Sequence, residues 1–266
     1  MWAQSQGATT TNLILDDADE RLAFVAQGFG EPRPAIWKAT DRSIDHVDPA
    51  APSIPAPPDC VESTALLAEV ELEVVADHGV WIGEINGLEV ARVGHTDEGE
   101  CAVDIGVGAY DQFASAALSP SRDDRETLGA VAAMVRPHRV AGAEPHPIGR
   151  LVRSRWLRAQ VVRDPSLLGL QSVDPVPLLF PRPGLVETQP AAAVGTTPDG
   201  KQVGVVCSTG IDLGVAETAA GIIARYEPES VLIAMPERDH HPRIVASLES
   251  LVVPAQMIAI TGEWTD

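Results

Sequence analysis

The sequence predicts an α/β protein of the α+β kind: an N-terminal and middle antiparallel β-meander flanked by helices, followed by a C-terminal βαβαβ parallel unit. Three observations predict it. From Gln202 onward, unbroken apolar runs of strand length alternate with segments of helix length, the pattern of right-handed crossovers and a sheet covered on both faces. Upstream, Val80 to Val93 reads as a hairpin centred on Asn86-Gly87, the pair a type I′ turn prefers because both positions need positive φ. Hydrophobic residues make up 45% of the chain but aromatics only 4%, so the core is built mainly from Val, Ala, Leu and Ile, as suits such folds.

Proline-rich stretches from Asp48 to Asp59 and from Asp174 to Pro190 hold five prolines each and favour extended connectors over sheet interiors. They divide the chain into an N-terminal arm and linker (1–59), an α+β block (60–173), a connector (174–201) and the parallel unit (202–266). In the arm a helix is expected over Asp17 to Gln27 and one short strand around Ile36. The block opens with a short helix from Ser63 to Val70. Its three-strand meander consists of the hairpin and a strand from Glu100 to Val107, and helices follow over Asp111 to Leu118, Asp123 to Val135 and Ile148 to Val162. In the parallel unit, strands at Val203–Cys207, Val231–Met235 and Met257–Ile260 alternate with helices at Val215–Arg225 and Pro242–Leu251.

Charge is the one extreme property. With 19 Lys+Arg against 38 Asp+Glu the net charge is −19, which keeps the chain soluble and repels nucleic acid and anionic membrane at long range. Between Arg136 and Arg163, however, seven arginines face one acid, Glu144, so this stretch carries +6 and the remainder −25. Three cysteines, Cys60, Cys101 and Cys207, form no Cys-x-x-Cys pair and are expected to be buried small hydrophobes in a reducing compartment. Nothing reads as a signal peptide or a membrane span, so the expected location is cytoplasmic.

Three groups of residues could carry chemistry. Ligands of open parallel sheets bind beyond the carboxyl ends of the strands, where Ser208, Asp212, Glu237, Asp239 and His241 could face a common crevice. The competing reading is helix capping, with Pro242 at the first helical position. No nucleotide motif is present: the chain has no Gly-x-x-x-x-Gly-Lys-Ser/Thr, and Gly106-x-Gly108 is followed by Asp111 where a dinucleotide fingerprint needs a small residue. In the hairpin, Ile85 opposite Leu88 places Glu84 opposite Glu89 on a face shared with Val80, Ile82, Ala91 and Val93. Facing like charges are destabilising. With Asp104 from the next strand they could hold Mg²⁺ or Mn²⁺; without a metal, Glu84→Gln relieves the repulsion and leaves stability unchanged or improved. Lastly, Arg150, Arg153, Arg155 and Arg158 offer an anion-binding surface, or else dock a helix against the acidic remainder of the protein.

A helix, three antiparallel strands and a helix, with acids on the second and third strands, loosely resembles the core of PD-(D/E)xK-type nucleases over about 63–118. The resemblance implies a divalent-metal-dependent hydrolase. It departs from the family at Asp104-Ile105-Gly106, where glycine occupies the place of the catalytic lysine. The sequence supplies no complete set of nucleophile, base and orienting group. It therefore favours a ligand-binding or regulatory protein, taking a small polar ligand or a protein partner rather than nucleic acid or membrane; a homo-oligomer is compatible with it, and the metal-dependent hydrolase is the alternative.

Overall fold

The computed structural model describes residues 7–108, 123–181, 184–185 and 189–262. The helix expected over Asp111 to Leu118 lies outside these residues. Three sheets organise the rest. The first takes its strands in the order β1 (Thr11–Leu15), β2 (Pro34–Ala39), β3 (Ile44–His46). Its first two strands are parallel and are connected through helix α1 (Glu20–Ala26), which begins one residue after Asp19, whose carboxylate accepts the Leu22 N–H and caps the helix. The arm thus holds three strands where one was expected, because β1 and β3 are short and mostly exposed and carry little apolar periodicity.

The second sheet is a four-stranded meander: β4 (Glu73–Asp77), β5 (Val80–Ile85), β6 (Leu88–His95) and β7 (Cys101–Ile105). Helices α2 (Val61–Glu69) and α3 (Asp124–Val135) cover one face of it, placing Leu67, Leu128, Ala132 and Val135 against Leu88, Val90, Val93 and Ile105. The hairpin turn is as expected, with φ of 46° at Asn86 and 77° at Gly87, and Glu84 faces Glu89. Beyond that pair the register shifts past Val90, so Ile82 faces Arg92 and not Ala91. A bulge turns the following side chains to the opposite face. Arg92 thereby lies on the face of the two glutamates.

The C-terminal sheet runs in the order β12 (Ala255–Ala259), β11 (Ser230–Met235), β10 (Gln202–Cys207), β9 (Ala191–Thr196), β8 (Ser172–Val176). The first three of these are parallel, and β9 and β8 join them antiparallel. The stretch read as a connector therefore supplies two strands, its Pro175 lying on the edge strand, where a missing N–H costs no ladder bond. Helices α6 (Val215–Tyr226) and α7 (Pro242–Leu248) pack on one face with Val25 of α1. On the other face lies α5 (Arg153–Arg163), through Trp156, Leu157 and Val161. The layers meet closely: a Cβ on Gly28 would stand 2.2 Å from the Ala220 carbonyl oxygen of α6, so only glycine fits.

The single helix expected over Ile148 to Val162 is two, α4 (Pro147–Arg150) and α5, parted at Val152 with φ of 42°. The buried Arg139 guanidinium donates to the carbonyls of Ile148 and Leu151, taking acceptors that a continuous helix would use itself. Of the three cysteines, Cys207 is as expected and the other two are not. Cys207 is a free, buried thiol, and burial pushes it up to about 12. Cys60 and Cys101 form a disulfide that ties the residue before α2 to the first residue of β7. The argument for a reducing compartment thus loses two of its three residues. Among the described residues no helix is long and apolar enough to cross a membrane.

Candidate functional site

The two glutamates of the hairpin are neutralised from within the chain. Glu84 is 2% exposed and accepts from Arg155 at 3.1 Å and from Arg158 at 2.7 Å, while Arg155 also holds Asp77 at 3.0 Å. Glu89 is bound in bidentate fashion by Arg92, at 3.1 and 3.2 Å. Asp104 stands opposite Arg92 on β7 and is exposed. Among the described residues, Glu84, Glu89 and Asp104 do not converge on one cation position. Arg155 and Arg158 face inward on α5, Arg153 is half-buried and Arg150 is exposed, so the four make no common anion-binding surface.

The turn itself docks on α5. Arg163 donates to Glu73 and, at 2.8 Å, to Asn86; Arg139 bonds the Asn86 carbonyl and lies 4.4 Å from the centre of the Trp156 ring. Burial lowers Arg139 to about 10, against the opposing pull of Glu84 and Glu73. Glu73 is raised, first by burial and then by the charge of Glu84. These groups are so fully engaged with one another that they form a structural junction.

The loops beyond the parallel strands divide the predicted crevice. Ser208 is fully buried, its hydroxyl without a partner among the described residues. Asp239 accepts the Gly210 N–H at 2.7 Å, His241 caps α7 by accepting from the Arg243 N–H, and Glu237 is exposed. Asp212 behaves differently. It accepts the Gly214 N–H at 2.8 Å and lines a cavity of about 150 Å³ that runs along α6 as far as Tyr226. Compared with protein-family models, curated proteins and solved structures, the chain finds no match. The cavity must be read from its own chemistry.

Its body is apolar: Val25 of α1, Leu178, Leu179 and Phe180 of the chain leaving β8, and Ile222 of α6. Gly221 leaves room for Leu179, whose Cδ1 would be 2.9 Å from a Cβ there. The cavity's polar lining includes Asp212, Glu217, Thr218 and Gln189. Glu217 is an exposed residue, and its carboxyl is raised from its ordinary value, first by desolvation against the surrounding chain and then by the charge of Asp212. The side-chain oxygen of Gln189 is buried without a partner among the described residues. Of the sequence candidates only Asp212 reaches this cavity. Glu217 and Gln189 were missed, although a Leu-Leu-Phe run inside a supposed solvated connector was a visible signal.

Proposed function

We propose that this is a ligand-binding α/β protein whose cavity takes a small organic ammonium ion with a compact apolar body. The observation that supports this is an apolar lining joined by acceptors, the charged Asp212 and Glu217 and the unpartnered oxygen of Gln189. A primary ammonium brings three N–H donors and a positive charge. It would relieve the repulsion between the carboxylates and supply the donor that Gln189 lacks. A cavity of about 150 Å³ suits an apolar body on the order of a benzene ring. An apolar cavity with a few convergent polar groups is the usual form of a small-molecule site.

The test is isothermal titration with benzylamine, benzoate and benzyl alcohol, which share one ring and differ in charge. Benzylamine should bind, and Glu217→Gln should weaken it about tenfold, the scale of one charge-assisted hydrogen bond. The pH profile carries a sign. A cation needs Glu217 ionised, so affinity should rise with pH through the elevated Glu217 titration. The ligand-free protein should show the reverse contribution: a carboxyl raised in the folded state stabilises at low pH and loses that contribution as pH rises from the ordinary value through the raised one. Binding of benzoate or benzyl alcohol in preference to benzylamine would reject the proposal.

A further inference from the structure

The meander carries a second cluster, remote in sequence from the cavity. His95 is the last residue of β6 and faces Cys101, the first residue of β7, across the ladder. Cys60 reaches the same place from the residue preceding α2 and is bonded to Cys101. A ring nitrogen of His95 and the two sulfurs all lie within 4.8 Å of one another, and this is the one such group of three His, Cys, Asp or Glu side chains among the described residues. A disulfide alone does not call for an imidazole. Two sulfurs and an imidazole nitrogen at this spacing are a set of protein ligands for zinc, which is bound by Cys2His with water in the fourth position.

We propose that Cys60, His95 and Cys101 form a redox-gated site for a thiophilic divalent cation, of which Zn²⁺ is the natural candidate. In the disulfide form each sulfur spends its bonding on the other, and the site is closed. A dithiol reductant opens it: two electrons and two protons pass to the Cys60–Cys101 bond, giving two thiols, while the reductant leaves as its own disulfide. The cation then displaces the two thiol protons and takes two thiolate sulfurs and one neutral imidazole nitrogen. Access suits both steps, because Cys101 and His95 are exposed while Cys60 is buried. His95 also borders an open groove with Asp97 and Glu98, whose negative charge raises the local concentration of cations. The ligands come from three separate elements held by the meander, so the cation would replace the disulfide as the tie between α2 and β7.

Co²⁺ serves as the spectroscopic probe on the full chain, before and after reduction by a phosphine and removal of the excess. Oxidised protein should show no sulfur-to-cobalt charge-transfer band. Reduced protein should take one equivalent of Co²⁺ with that band, and one equivalent of Zn²⁺ should displace it. His95→Ala, which leaves the disulfide pair in place, should weaken Co²⁺ binding by about tenfold or more, since loss of an outer-sphere partner alone costs that much. Cys207→Ser should bind as wild type does. The proposal is overturned if reduced wild type gives no band, or if His95→Ala binds with unchanged affinity. The second outcome also covers a reduced chain that has unfolded and binds through loose thiolates, which would not depend on His95.

Discussion

Glu84 shows how a partner distant in sequence can reverse an expectation drawn from a correct local reading. The hairpin register did place it opposite Glu89, and repulsion between facing carboxylates argued that Glu84→Gln should be neutral or stabilising. Burial at 2% and two arginine partners change the sign. Removing the carboxylate leaves the Arg155 and Arg158 guanidiniums buried, with Asp77, 3.0 Å from Arg155, as the anionic partner left to the pair among the described residues. Breaking a buried ion pair on one side costs about 3–5 kcal/mol. Glu84→Gln should therefore lower the unfolding free energy measured in urea by that order, whereas Glu89→Gln, whose partner Arg92 is 39% exposed and can turn to water, should cost a fraction of it. Equal effects at the two positions would contradict the assignment of Glu84 to a buried junction.

The hairpin as an element depends on Gly87 for two reasons that act together. Its φ of 77° lies in the left-handed region, and a Cβ there would stand 2.3 Å from the backbone carbon of Arg155. Gly87→Ala meets both, and about 2 kcal/mol or more of stability should be lost in chemical denaturation; a loss like that of Gly99→Ala, which also has positive φ but open space around it, would show that the turn does not press on α5. The turn was legible in the sequence because Asn-Gly is a local signal. The close approach was not, since it depends on where α5 docks. For the same reason the bulge at Val90 was invisible: residue type does not mark it, and it shows only in the pairing of Ile82 with Arg92. Strand β9 was hidden by composition. Its Ala191-Ala192-Ala193 begins directly after a proline-rich run and has low intrinsic strand preference; tertiary burial at 2% or less for all three residues decides its structure.

At the scale of the whole molecule, the uneven charge noted in the sequence has an internal use. Much of the basic stretch is spent on the acidic meander, through Arg155, Arg158 and Arg163 on Asp77, Glu84 and Glu73. The parallel strands were legible because unbroken apolar runs need no knowledge of neighbours. The cavity was not, because it is assembled from α1, the segment after β8, and α6, and only the fold brings these together. Helix α5 is the joint of that assembly. Its Trp156, Leu157 and Val161 lie in the core of the C-terminal sheet, and its Arg155 and Arg158 hold β5 of the meander. Sheets coupled through one buried helix should unfold together. In urea, far-UV circular dichroism and the fluorescence of tryptophan, which includes Trp81 in the meander and Trp156 on α5, should then trace one transition. Replacing both Arg155 and Arg158 by alanine removes the buried part of the meander's charged hold on α5, leaving Arg163 on Glu73 and the apolar face of the helix on the C-terminal sheet. The two probes should then separate, with the meander melting first. Coincident curves in the double variant would show that the contacts left between α5 and the meander suffice to couple the sheets, and that Arg155 and Arg158 serve only to neutralise the buried acids they hold.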